Sequence, residues 1–188
     1  MMWFNRNLRV SLIPLLSPPK IVKYGFVDAQ FGRLLIGMLN QDQGAICFLY
    51  FVQKSDEEAL RKAHQHWPKT DLIPDDVQIQ KRCHKLFEAG GGDKENAVVL
   101  EVAARGTDFQ LDVWNALVRM EMGSTSTYGQ LAQSIGRPKA VRAVASAVAS
   151  NEVSVLIPCH RIISKNGDVK YHWGAQLKRD LLSYEASK

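Results

Sequence analysis

The sequence predicts an α+β protein, with a small mixed α/β unit followed by a mainly helical, helix-turn-helix-like unit. Three observations carry this. Short apolar runs separated by turn residues fill positions 21–52, the pattern of paired strands. After Gly106 the apolar residues recur at helical spacing instead. Residues 127–151, TYGQLAQSIGRPKAVRAVASAVASN, then set two helical runs around a Gly-Arg-Pro turn. The expected organisation is an irregular extension over residues 1–20, an N-terminal α/β domain over 21–104 and a C-terminal domain over 105–188.

In chain order, IVKYGFV (21–27) and RLLIGML (33–39) read as strands of a hairpin broken at DAQFG, and GAICFLYFV (44–52) follows the polar turn NQDQ. SDEEALRKAHQHW (55–67) reads as a helix with Ser55 as N-cap and three acids in its first turn. DDVQIQKRCHKLFEA (75–89) predicts a second helix with Val77, Ile79, Cys83, Leu86 and Phe87 on its apolar side. GGGDKEN (90–96) is a polar break, and AVVLEVA (97–103) reads as one more strand.

TDFQLDVWNALVRM (107–120) opens with Thr107 or Asp108 as cap and places Phe109, Val113, Ala116, Leu117 and Met120 at helical spacing. Thr127 caps the next helix, Gly136 ends it, and Pro138 is expected at the first position of the following one, where a missing N–H costs nothing. That last helix is rich in small residues. Val141, Val144 and Val148 are expected to pack inward, while Ala140, Ala143, Ala145, Ser146, Ala147 and Ala149 leave a smooth surface from which Arg142 rises. Alanine here can reflect helix propensity alone, or a surface that approaches another backbone closely with Arg142 as its one long cation. Periodicity does not separate the two.

The chain is 46% hydrophobic and 23% charged, with a formal net charge of +5. That suits a globular core and is compatible with an acidic partner such as nucleic acid. Three widely spaced cysteines, Cys47, Cys83 and Cys159, form no disulfide framework and no zinc knuckle, which favours a reducing, cytoplasmic setting. The apolar run VSLIPLL (10–16) is short and broken by Pro14, so it reads neither as a signal peptide nor as a membrane span. His64 and His66 do not combine with the cysteines at metal-ligand spacing, and no metal is expected.

VLIPCHRII (155–163) interrupts an apolar run with Pro158, Cys159, His160 and Arg161. Cys47 and Cys83 sit among apolar neighbours and read as inert core thiols. Cys159 stands beside an imidazole and a guanidinium, groups that favour a thiolate when they reach it. On the C-terminal helix Glu185 falls on one stripe with Leu177 and Leu181. It can be a surface acid near a helix end or the group that orients His160, and spacing alone favours the former.

IPCHRII, together with GRPKAVRAVASAVASN, TYGQLAQSIG, GTDFQLDVWNAL and YHWGAQLKRDLLSYE, resembles the O6-alkylguanine-DNA alkyltransferases, or methylated-DNA–protein-cysteine methyltransferases. The match is strong from Gly106 to Glu185 and weaker from Ile21 to Ala104. The chain is most similar to the alkyltransferase part of bacterial adaptive-response regulators. The resemblance implies a ribonuclease-H-like N-terminal domain and a winged helix-turn-helix-like C-terminal one. It further implies a monomer that uses no cofactor and binds double-stranded DNA containing O6-alkylguanine from the minor groove.

A base turned out of the duplex would pass its alkyl group from guanine O6, with thymine O4 as a second substrate, to Cys159 in a single turnover. By the same resemblance His160 acts through water as base, Glu185 orients it, Tyr128 donates to the leaving base and Asn151 braces the turn before the cysteine. Arg142 fills the vacated stack, and Tyr128, Gln110, Gly129, Arg137, Ala140 and Lys165 contact DNA. The carbonyls of Cys159 and Ile162 accept from the exocyclic amine, and Ile162, Val148, Tyr171 and His172 form the base pocket. Lys170 departs from the family pattern before Tyr171, in a segment one residue shorter, and His172 stands where many relatives carry arginine. The competing readings are a lesion-binding or regulatory helix-turn-helix protein without transfer, and a cysteine hydrolase, which lacks an oxyanion-hole glycine pattern here.

Overall fold

The computed structural model describes residues 8–40, 44–88, 99–166 and 169–187. The expected NQDQ turn lies largely outside these residues, the GGGDKEN break lies wholly outside them, and the side chains of Leu86 and Phe87 are likewise not described. The chain is a mixed α/β protein that separates into two compact units, residues 1–105 and 106–188.

In the first unit, strands β1 (Arg9–Pro14), β2 (Ile21–Ala29), β3 (Gly32–Leu39), β4 (Ile46–Phe51), β5 (Asp71–Pro74) and β6 (Val99–Ala104) form one sheet in the order β1-β6-β4-β3-β2-β5. The β2–β3 hairpin pairs Val22 with Leu39 through Ala29 with Gly32, and β4 adds antiparallel to β3. Every residue of β4 is buried, as expected for a central strand flanked on both sides.

Helix α1 (Asp56–His66) starts at Ser55, whose side chain accepts from the Glu58 N–H as the sequence predicts. Helix α2 (Asp76–Glu88) packs on β2. There a Cβ at Gly25 would fall 2.9 Å from the Ile79 Cβ, so glycine is what lets the helix sit this close.

Two expectations for this unit change. Residues 9–14, assigned to an irregular extension, form β1, which runs parallel to β6 with Arg9 opposite Val99 and Pro14 opposite Ala104. An edge strand needs partners on one side only, so a proline at its end costs no ladder bond, and no local pattern announces it. Strand β5 was not expected either. It is four residues long, ends in Pro74 and exists because it pairs with β2.

In the second unit, α3 (Asp108–Val118) and α4 (Tyr128–Ser134) each begin with a capping box, Thr107 with Gln110 and Thr127 with Gln130. Helix α4 ends where Gly136, at φ 70°, lets Arg137 N–H reach the Ala132 carbonyl and its own N–H reach that of Gln133. Helix α5 (Val141–Ala149) starts later than expected. Pro138 is not its first residue; it sits in a tight turn closed by Ala140 N–H to the Arg137 carbonyl at 2.9 Å, a position its fixed φ also suits.

Val144 and Val148 pack inward, but Val141 at the start of α5 is exposed. Trp114 on α3 is buried and donates Nε1–H to the Ala147 carbonyl at 2.8 Å, which ties α3 to α5. Strands β7 (Ser126–Thr127) and β8 (Ile162–Ile163) pair in parallel, and α6 (Ala175–Ala186) closes the unit. Among the described residues no helix is long and apolar enough to cross a membrane.

Candidate functional site

Cys159, His160 and Arg161 form a single turn of 3₁₀ helix between Pro158 and β8. The segment leading into it is held in a special conformation. Val155 has φ 69°, which strains a β-branched residue, and Leu156 N–H closes the turn onto the Ser154 carbonyl at 2.8 Å. Asn151 fastens that turn. Its Oδ1 accepts from Val153 N–H at 2.9 Å, and its Nδ2 donates to the Ile157 carbonyl at 2.8 Å and to Cys159 Sγ at 3.1 Å. One side chain therefore both shapes the turn and hydrogen-bonds the sulfur.

The sulfur faces a pocket of about 250 Å³ walled by Tyr128, Val148, Asn151, Ser154, Lys170, Tyr171, His172 and Trp173 among others. Burial raises the Cys159 thiol pKa, and the Asn151 hydrogen bond and the positive charge of Lys178 partly offset this. Burial likewise raises Tyr128 and Tyr171, with the neighbouring sulfur adding to both, so both phenols are protonated at neutral pH. Trp173 Nε1 donates to Ser154 Oγ at 2.5 Å and anchors the rim of the pocket.

Behind the cysteine lies a dry charge cluster. His160 is fully buried, and its Nε2 meets Glu185 Oε1 at 2.9 Å. Arg161 grips the same carboxylate through Nε to Oε2 at 2.9 Å and Nη2 to Oε1 at 3.0 Å, and its Nη1 donates to the Met120 carbonyl at 2.6 Å. Gly123 N–H also reaches Glu185 Oε2, at 3.3 Å. Burial opposes the charge on Glu185, but the His160 and Arg161 hydrogen bonds hold its pKa down at about 2. Burial lowers the His160 pKa, although Glu185 pulls it back up. The imidazole is thus neutral at pH 7, with its proton on Nε2 facing the carboxylate. Its buried Nδ1, which has no partner among the described residues, then carries a free lone pair.

The structure brings Cys159, Tyr128, Asn151, Val148, Tyr171 and His172 to one pocket and sets His160 and Glu185 behind it. Ile162, expected on the pocket wall, is buried in β8 and is not among the lining residues; its N–H donates to the Cys159 carbonyl and its own carbonyl accepts from Lys178 Nζ at 2.5 Å. Arg142 is exposed on α5 on a surface shared with Ala143, Ser146 and Ala149. Gln110 donates to Ser150 Oγ at 2.9 Å, while Arg137 and Lys165 are exposed and Gly129 and Ala140 are half-buried.

Sequence reasoning missed the Arg161 clamp on Glu185, the Ser154–Trp173 contact and the buried Lys178. The arginine next to His160 was the one available signal; the other two depend on tertiary contact alone. Among the described residues no group of three or more His, Cys, Asp or Glu could hold a metal.

Two helices joined by a tight turn share a unit with a cysteine that opens on a pocket and has a buried His–Glu–Arg cluster behind it, which defines a class of protein built around a single pocketed thiol. Residues 108–187 match the family model described as 6-O-methylguanine DNA methyltransferase, DNA binding domain. The chain is 36% identical over 166 residues to the bifunctional transcriptional activator/DNA repair enzyme Ada of Escherichia coli (strain K12), covering 88% of this chain and 46% of that protein. It is 35% identical over 163 residues to the methylated-DNA–protein-cysteine methyltransferase of Haemophilus influenzae, covering 86% of this chain and 85% of that one. A crystal structure of Mycobacterium tuberculosis O6-methylguanine methyltransferase matches with a TM-score of 0.66 and 30% identity over 88% of this chain and 93% of that one. The OGT of the same organism in complex with DNA matches with a TM-score of 0.66 and 29% identity, over 88% of this chain and 94% of that one. The chain belongs to the 6-O-methylguanine DNA methyltransferase family. It spans about half the length of Ada, 46%.

Proposed function

We propose that this protein repairs alkylated DNA by taking the alkyl group from guanine O6, and secondarily from thymine O4, onto Cys159. One observation carries the reading. The Cys159 sulfur opens on a pocket, hydrogen-bonded by Asn151, with the ionised Glu185 holding His160 in the tautomer that keeps a lone pair on Nδ1.

A damaged base leaves the duplex and enters the pocket, while Arg142 takes its place in the stack. The Cys159 proton passes through a water to His160 Nδ1. The thiolate attacks the alkyl carbon, a carbon–sulfur bond forms, the carbon–O6 bond breaks, and its electron pair leaves on guanine. Tyr128, whose raised pKa keeps its proton at neutral pH, protonates the departing ring and recovers a proton from His160. The sum is one thiol proton moved to guanine and one thioether formed. Cellular thiols do not cleave a thioether, so each molecule acts once and needs no cofactor.

The smooth surface of α5, where Arg142 stands with Ala143, Ser146 and Ala149 exposed, supports an approach to the minor groove, which admits no bulky side chains there. Gln110, Gly129, Arg137, Ala140 and Lys165 are the flanking DNA contacts of this reading. The reading is of a monomer that acts in the cytoplasm on chromosomal DNA.

The test is to mix the protein with a duplex bearing O6-methylguanine and weigh the intact protein. One added methyl, mapped to Cys159 and matched mole for mole by repaired guanine, is the expected result. Duplex binding without a mass change would replace this reading with that of a lesion-binding protein.

A further inference from the structure

Lys178 on α6 is the buried charge that the mechanism above leaves unused. It is 2% exposed. Its Nζ donates to the Ile162 carbonyl at 2.5 Å and to the Lys170 carbonyl at 3.1 Å. Among the described residues no carboxylate pairs with it. A buried ammonium held only by neutral carbonyls is costly, because two dipoles do not replace its hydration. A methionine or leucine of similar length would fill the same space without that cost.

The placement of the charge supplies a reason for it. Ile162 follows the Cys159–Arg161 turn directly, and Lys170 lies on the wall of the pocket onto which Cys159 opens. Lys178 therefore ties the strand leaving the reactive turn to a wall of the pocket, and its positive charge favours the ionised sulfur. The other buried ionisable groups around the cysteine carry no net charge. His160 is neutral, Glu185 and Arg161 offset each other, and Tyr128 and Tyr171 hold their protons. Lys170 also stands on the pocket wall, but its side chain is exposed to solvent, which screens its charge; Lys178 is the buried lysine whose charge acts on the sulfur.

We propose that Lys178 is a positioning residue for alkyl transfer: its ammonium is the fixed counter-charge of the Cys159 thiolate, and its two carbonyl contacts hold the pocket rim against β8. The lysine exchanges no proton with substrate. When the sulfur loses its proton, a positive charge already in place stabilises the anion without solvent having to reorganise. The relation is reciprocal: burial lowers the Lys178 pKa, and the cysteine pulls it back up.

The proposal rests on Cys159 being the acceptor, but its test reads the thiol directly. Iodoacetamide modification of Cys159 is followed against pH by peptide mass in the full-length protein, with methyl transfer from O6-methylguanine duplex measured alongside and melting temperature checked first. Lys178→Gln keeps hydrogen-bond donors and removes the charge. The midpoint of Cys159 reactivity moves up by about one pH unit, which is about a tenfold loss of both rates near neutral pH, recovered in alkali. Lys178→Arg keeps the native midpoint.

An unchanged midpoint in the glutamine variant, or an equal loss at every pH, leaves Lys178 a packing residue and overturns the proposal. A shifted midpoint with no methyl transfer in the native protein sinks the repair reading and not this one. Should Lys178→Gln not fold, the native protein carries the test. The Lys178 side chain, followed by carbon-13 resonance, titrates at lower pH once Cys159 is methylated; an unmoved titration refutes the coupling.

Discussion

The sheet of the first unit and the helical second unit each bury cysteine, and they treat it in opposite ways. Cys83 lies on α2 among apolar neighbours, and burial pushes its thiol up to about 12. Cys47 lies in the fully buried β4 and spends its S–H on the Gly37 carbonyl at 3.5 Å. Burial also raises Cys159, but there Asn151 donates to the sulfur, the charge of Lys178 acts against that rise, and the sulfur opens on a pocket. Desolvation by itself makes a thiol inert. Reactivity comes from polar groups that are already oriented when the anion forms.

The largest break in this comparison is at the sulfur itself. Cys159→Ala abolishes methyl transfer in a stoichiometric repair assay while duplex binding, followed by fluorescence anisotropy, persists. Cys47→Ala and Cys83→Ala keep full transfer and lose about 1 kcal/mol of stability each by urea denaturation. Transfer remaining in Cys159→Ala would move the acceptor to another thiol.

Next in size is the charge cluster. Glu185→Gln leaves Arg161 buried without its counter-charge and His160 without a fixed tautomer. Unfolding free energy at pH 7 falls by about 3–5 kcal/mol, and transfer slows at least as much as in any variant that keeps Cys159. The pH dependence has a defined sign. Because the Glu185 pKa is depressed to about 2, its contribution is complete above the ordinary carboxylate range and is lost as the pH falls towards that value. The native protein therefore loses stability in acid more steeply than Glu185→Gln does, and parallel acid curves for the two would show that the carboxylate is not held as described.

Asn151→Ala removes a hydrogen bond to the sulfur and two to the strained turn at once. A loss of about 2–3 kcal/mol in stability, with transfer slowed about tenfold or more, sharpens the contrast, since among the described residues no side chain hydrogen-bonds the Cys83 sulfur. A smaller effect than that of Asn151→Ala is expected at Trp114→Phe, which gives up the bond to the Ala147 carbonyl and the outer ring atoms that pack against Gly106. About 1–2 kcal/mol of stability is lost by thermal denaturation, and the transfer rate at saturating DNA is unchanged.

Local signals carried well where a rule acts within a few residues. Ser55, Thr107 and Thr127 announced helix starts because an N-cap needs only its own side chain and an N–H three residues on. The β2–β3 hairpin was legible from its apolar runs and the break between them. The failures were elements whose reason to exist lies elsewhere in the chain. Strand β1 forms because β6 offers it an edge, and β5 because β2 does. Pro138 looked like a helix start, but the capping of α4 consumes Gly136 and Arg137 and pushes α5 three residues on.

By itself the sequence determined that Cys159 stands apart from the other two thiols, that two helices around a tight turn precede it, and which family pattern surrounds it. Those features are written in neighbouring residues and short spacings. Only the tertiary structure decided that Glu185 is buried rather than exposed, that Arg161 shares it with His160, and that Lys178 is buried on the Ile162 carbonyl with no carboxylate partner among the described residues. Each of these joins α6 to residues at least 16 positions earlier in the chain. The energy of a buried charge depends on what surrounds it in space, and no local pattern of residues carries that information.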